Sequence, residues 1–107
     1  MNPFRTEQDV VRKNPFDGAE ARIVHGENMS LATWRFRAGT VLPAHQHPHE
    51  QVTLVVEGSL ELSISGNSRK LSTGEGAVIP GDTEHQARAI TDCVVADSFY
   101  PVREDLR

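Results

Sequence analysis

Between Arg22 and Tyr100, apolar and polar residues recur with a period of two. Ala32, Trp34 and Phe36 share one parity and Thr33, Arg35 and Arg37 the other, while Leu60, Leu62 and Ile64 alternate with Glu61, Ser63 and Ser65. Successive side chains of an extended chain point to opposite faces, so this alternation predicts strands with one buried and one wet face. Turn-forming residues divide the runs at Gly26-Glu27-Asn28, Gly39, Glu57-Gly58, Gly66-Asn67, Gly74-Glu75-Gly76, Pro80-Gly81-Asp82 and Thr91-Asp92. Short strands at intervals of roughly eight to twelve residues predict an all-β sandwich or barrel, with no room for a helix of ordinary length.

Two segments depart from clean alternation. In Gln51–Glu57, Val52, Leu54 and Val56 make one face apolar and Val55 joins from the other. A strand apolar on both faces needs cover on both, and the amino-terminal segment or a partner subunit would supply the second cover. Residues 1–18 carry Pro3, Pro15 and Gly18 among many charges, with only Val10 and Val11 as an apolar pair, and predict an arm with little structure of its own. The expected division is therefore an arm over residues 1–21 and one barrel domain over 22–107. No internal repeat or linker divides the chain further.

Composition narrows the partners. The chain has 107 residues, and 11 Lys and Arg against 15 Asp and Glu give a net charge of −4. No basic stripe is available to neutralise phosphates, which argues against nucleic acid as a partner. A spanning helix needs roughly 20 apolar residues, whereas the longest apolar run, Val52–Val56, is broken by Thr53. The amino terminus lacks an apolar leader and Cys93 is the lone cysteine, which together predict a cytoplasmic address. A domain this small buries only about 60 to 70% of its unfolded surface. With the doubly apolar strand, this predicts a homodimer.

The candidate chemistry lies in the histidines. Three of the five crowd into His45-Gln46-His47-Pro48-His49. On an extended chain His45, His47 and Gln51 share a side, and further metal ligands would come from neighbouring strands. His85 is the fourth candidate, because Ala87 and Ala89 on its own face leave room inside a barrel. His25 reads as a solvated or hydrogen-bonded residue. So does His49 taken alone; it shares the parity of His47, but Pro48 interrupts the strand and leaves its direction open.

The spacing of Gly39, His45, His47, Gln51 and Gly58 resembles the first cupin motif, with Gln51 where that motif usually has glutamate. Gly74, Pro80 and His85 resemble the second, with Asp82 replacing its second glycine and Ala89 its terminal asparagine. The resemblance implies a single cupin barrel, the double-stranded β-helix or jelly roll. That fold hosts isomerases, dioxygenases, storage proteins and sugar-binding regulators, so function must be argued from the site. Three neutral imidazoles and a neutral amide leave the charge of a divalent ion uncompensated. Such a centre favours an anionic ligand and Lewis-acid chemistry on a carboxylate. These ligands accept Ni, Zn, Mn, Co or Fe(II), so the ion's identity stays open.

In the carboxy-terminal segment Cys93, Val95, Asp97 and Phe99 share one face of the last strand. An aspartate among inward apolar residues is costly unless paired or functional. Arg103 is the expected partner, either of Asp97 or of a bound carboxylate, since a guanidinium grips two oxygens at once. A structural Asp97–Arg103 pair and a catalytic Asp97 both stay open, as do core and substrate-platform roles for Phe99.

Together with His45–Gln51 and His85, the run Asp97–Asp105 resembles the small cupins called pectin degradation proteins, the KdgF family, over roughly Gly39 to Asp105. The resemblance implies metal ligands at His45, His47, Gln51 and His85 and further active-site positions at Asp97, Phe99 and Arg103. It also implies an activity, the conversion of cyclic 4,5-unsaturated monouronates from pectin or alginate into linear keto forms. Rival classes are a non-catalytic sugar-acid sensor, which would bind uronates without changing their absorbance, and an Fe(II)-dependent dioxygenase, which would consume oxygen.

Overall fold

The computed structural model describes residues 2–107. Ten strands form two antiparallel sheets: β1 (Val11–Phe16), β2 (Ala19–His25), β3 (Ser30–Phe36), β4 (Val41–His45), β5 (Glu50–Glu57), β6 (Ser59–Ile64), β7 (Asn67–Ser72), β8 (Gly76–Ile79), β9 (His85–Ala89) and β10 (Cys93–Tyr100). Only a short 3-10 turn, Glu104–Leu106, breaks the all-β pattern among the described residues. The larger sheet runs β1-β2-β3-β10-β5-β8 and the smaller β4-β9-β6-β7. Their inner faces enclose one core, built from Ala21, Ile23, Ala32, Trp34, Val55 and Val95 on one side and Leu60, Leu62, Leu71 and Ala89 on the other. This is the jelly-roll barrel that the periodicity and the motif spacing predict, and none of its described residues forms a helix able to cross a membrane.

The parities of β3, β6 and β10 follow the sequence reading: Ala32, Trp34 and Phe36, Leu60 and Leu62, and Cys93, Val95, Asp97 and Phe99 all point inward. β5 departs from it. Its buried face carries Gln51, Thr53 and Val55, and its apolar face, Val52, Leu54 and Val56, is turned to solvent. Polar Gln51 and Thr53 turn inward, where they hydrogen-bond to each other and Thr53 to Asp97. The amino-terminal segment does not supply the expected cover, since Pro3 and Arg5 lie beside Val24, His25 and Arg107 at the β2 end of the sheet.

The amino-terminal region also differs from the expectation of little structure. Val11–Phe16 forms β1 and pairs with β2, and β2 begins at Ala19, so the sheet runs across the expected boundary between residues 21 and 22. β1 gives a weak periodic signal because an edge strand here buries little on either face. Pro15 is accommodated where the β1–β2 register shifts between Lys13 and Phe16, a bulge that needs no backbone donor.

Candidate metal centre and active site

The histidines meet because two strand ends coincide. His45 closes β4 and His85 opens β9, and the two are direct partners in the antiparallel register, with ring centroids 4.2 Å apart. His45, His47 and Gln51 do not lie on one extended chain. β4 ends at His45, the chain bends through residues 46–49, and β5 begins at Glu50, so Gln51 enters from the opposite sheet. His47 reaches inward from the bend, 4.9 Å from the His85 ring. One nitrogen from each of His45, His47 and His85 falls within 4.8 Å of the others.

Backbone carbonyls set the tautomers. His45 Nδ1 donates to the Pro43 oxygen at 2.9 Å, His47 Nδ1 to that of His49 at 3.1 Å, and His85 Nδ1 to that of Thr83 at 2.8 Å. Each Nε2 is then an unprotonated lone pair, the arrangement in which an outer hydrogen bond orients a metal-binding imidazole. Two features call for a cation. His85 Nε2 is buried with no hydrogen-bond partner. His47 Nε2 faces Gln51 Oε1 at 3.1 Å, and with the proton on Nδ1 these are two acceptors turned toward each other. Burial and then the charge of Arg103 lower the His47 pKa to about 4, and burial lowers that of His85, so both are neutral ligands at neutral pH. The residues therefore fit a divalent ion. His49 contributes its carbonyl to His47 and lies outside the cluster.

Gln51 is oriented by a chain of hydrogen bonds that the sequence reading missed. Thr53 Oγ1 donates to Asp97 Oδ1 at 2.7 Å, and the same oxygen accepts from Gln51 Nε2 at 3.0 Å. With its nitrogen held, the amide must present Oε1 to the histidines. The signal was available in part, since Thr53 shares the parity of Gln51, but seeing it requires the β5–β10 register that sets Thr53 beside Asp97. Burial raises the Asp97 pKa to about 6, against the lowering effect of hydrogen bonds from Thr53, Gln51 and Trp34 and of the nearby Arg103 charge.

Arg103 does not pair with Asp97. It donates through Nε and Nη2 to the two oxygens of Asp105, at 3.0 and 2.8 Å, and its guanidinium lies 4.6 Å over the Phe99 ring. The expected structural ion pair is thus replaced by a local one, because a residue two positions along the tail reaches the guanidinium at no cost in burial. Phe99 is a core residue, packed beneath Arg103 and edge-on to His47 at 5.7 Å. The tail is tied down where the Arg103 backbone N–H donates to Ser30 Oγ at 2.9 Å, with His25 Nδ1 2.8 Å from the same oxygen.

These groups border a cavity of about 240 Å³. Its lining combines the polar side chains of His45, Gln51, His85, Asp97 and Arg103 with the apolar Trp34, Leu60 and Leu62.

The cupin domain family matches residues 32–99, which contain His45, His47, Gln51, His85 and Asp97. The structure of KdgF from Halomonas sp. superposes with a TM-score of 0.88, at 31% identity over the whole of both chains. The chain is a cupin of the KdgF family. The pectin degradation protein KdgF of Dickeya dadantii (strain 3937) is 28% identical over 92 residues, 83% of this chain and 84% of that protein. An RmlC-like cupin from Shewanella frigidimarina NCIMB 400 superposes with a TM-score of 0.89 at 24% identity, over all of this chain and 97% of its own, and speaks for the fold alone.

Proposed function

We propose that this KdgF-family cupin opens cyclic 4,5-unsaturated monouronates, released from pectin or alginate, into their linear keto forms. The observation that carries the reading is the convergence of three Nε2 lone pairs and one amide oxygen beside a buried, hydrogen-bonded aspartate and a fixed guanidinium.

The reaction is an internal redistribution. The hemiacetal loses its O1 proton, the bond from C1 to the ring oxygen breaks, that oxygen leaves as an enolate, and C4 gains a proton. No net water is consumed. Asp97 takes the O1 proton and returns one at C4, and a pKa near 6 lets it exist in both states at neutral pH. Thr53 keeps one Asp97 oxygen occupied and so fixes the direction from which the carboxyl works. Arg103, held by Asp105, binds the substrate carboxylate or steadies the negative charge of Asp97. Phe99 packs against the sugar and excludes water from the enolate. His45, His47, Gln51 and His85 would hold a divalent ion, which when bound would supply Lewis acidity toward the negative charge of the sugar acid.

The test follows the absorbance of the conjugated double bond of an unsaturated monouronate with metal-loaded and metal-stripped protein. Accelerated decay with the loaded protein is expected, and Asp97→Asn is expected to remove it while metal content stays unchanged. Full activity in Asp97→Asn would overturn its assigned role, and unchanged absorbance with tight uronate binding would make the protein a sensor.

A further inference from the structure

β10 ends at Tyr100, so Arg103 reaches the site from a tail outside the sheet. The grip of Asp105 is local: it fixes the guanidinium relative to the tail, not the tail relative to the barrel. The β2–β3 hairpin supplies that second reference. Ser30 opens β3 and is buried, with His25 of β2 as its register partner on one side and Phe99 of β10 on the other. Its Oγ accepts the Arg103 backbone N–H at 2.9 Å and lies 2.8 Å from His25 Nδ1. His25 Nε2 lies 3.4 Å from the Leu106 carbonyl oxygen, which only accepts, so in the neutral ring the proton sits on Nε2 and Nδ1 keeps a lone pair. The Ser30 hydroxyl then donates to Nδ1 and leaves its oxygen to Arg103. The hydrogen bonds therefore run in one direction, from the Arg103 N–H through Ser30 and His25 to Leu106, and hold both ends of the 3-10 turn that carries Asp105.

We propose that Ser30 is a positioning residue for substrate binding: through the Arg103 backbone it sets where the guanidinium meets the substrate carboxylate, and His25 aims the Ser30 hydroxyl. This role rests on the uronate-opening function proposed for the site. Neither Ser30 nor His25 lines the cavity, whereas Arg103 and Leu106 both do, so the pair acts through the tail. Because Arg103 lies over the Phe99 ring and Ser30 stands beside Phe99 in the sheet, one serine fixes the tail against the residue on which the guanidinium rests. The substrate carboxylate neither gains nor loses a bond during ring opening. Its contact with Arg103 is therefore as strong in the ground state as in the transition state, and misplacing the guanidinium weakens binding without slowing the chemical step.

Steady-state kinetics of the metal-loaded protein on an unsaturated monouronate, with amide hydrogen exchange, test this. Ser30→Ala is expected to raise KM about tenfold with kcat within about twofold of the parent. Divalent-metal affinity in a chelator competition should not change. The Arg103 amide should exchange about tenfold faster or more, while amides in the middle of β10 keep the parent rates. His25→Phe, at a half-buried position, keeps a ring but loses both polar contacts, and should raise KM by a smaller factor with kcat again retained. A merely structural serine would instead lower the folded fraction, and so kcat, with KM unmoved. Parent KM in both variants, an unchanged Arg103 amide, or metal affinity that falls together with KM would each overturn the positioning role and leave the function of an active parent standing. A parent that does not act on the uronate would overturn that function itself, and this role with it. If Ser30→Ala fails to fold, the KM of His25→Phe decides.

Discussion

Thr53 controls what both of its neighbours present. Its single proton goes to Asp97 Oδ1, so its oxygen is left to accept the Gln51 amide N–H, and the amide oxygen is left for the histidines. Thr53→Val removes that hold and strands a buried amide donor. It should weaken divalent-metal affinity by about tenfold or more in a competition titration with a chelator, with Thr53→Ser close to the parent. Equal affinity in Thr53→Val would mean that Gln51 is aimed by packing alone. Asp97 contributes one pH-dependent part of the stability of the metal-stripped fold, opposed by the lowered pKa of His47. Its folded pKa, about 6, lies above the ordinary 3.8, so the folded state holds the proton more tightly and the Asp97 contribution to stability falls as pH rises from about 4 through 6. The shift amounts to about 3 kcal/mol of penalty for the ionised form at pH 8. Asp97→Asn should therefore stabilise the stripped protein by up to about 3 kcal/mol at pH 8 and not at pH 4 in urea unfolding. A difference independent of pH would remove burial of the charge as its cause.

At the scale of the element, two glycines of the motif spacing separate backbone conformation from close approach. Gly39 and Gly58 both have positive φ, +87° and +92°. A Cβ on Gly39 meets nothing within 4 Å, whereas on Gly58 it falls 2.3 Å from the Asp92 carbonyl oxygen and 2.8 Å from Cys93 Cβ. Gly39→Ala should cost about 1 kcal/mol of conformational strain. Gly58→Ala should cost about 3 kcal/mol or more in denaturant unfolding, because β5 must also part from the start of β10. Equal losses would show that the close approach relaxes freely. Strand identity was legible wherever one face of an element met the core and the other met water, as in β6 and β10. β5 defeated the rule because its inward Gln51 and Thr53 are held in a buried hydrogen-bonded chain with Asp97 and its outward face is apolar, so hydrophobicity pointed the wrong way. β1 was invisible because an edge strand with little burial leaves no pattern. Of the site, His45, His47, Gln51 and His85 were readable as a set through their spacing. The Thr53 link and the Asp105 grip on Arg103 were not, since both depend on distances that parity does not carry.

For the whole molecule, the proposed metal centre would tie the layers together. His45 and His85 belong to the smaller sheet, Gln51 to the larger, and His47 to the bend that joins them. In the unfolded chain these groups are not preassembled, so an ion that binds only the folded arrangement stabilises it by mass action, by about 2.7 kcal/mol at one hundred times its dissociation constant. For a domain near 100 residues that corresponds to a rise in Tm of roughly 10 to 20 °C. Thermal unfolding with and without divalent metal should show this rise, and a chelator should reverse it. His85→Ala removes a buried nitrogen that lacks a hydrogen-bond partner and one of the two anchors on the smaller sheet, and should abolish the metal-dependent rise. His49→Ala should retain it, because alanine keeps the backbone carbonyl that holds His47 and the His49 side chain lies outside the three-histidine cluster. If both variants lost the rise equally, the His49 side chain would belong to the coordination set and the assignment built on His45, His47, Gln51 and His85 would need a fifth member.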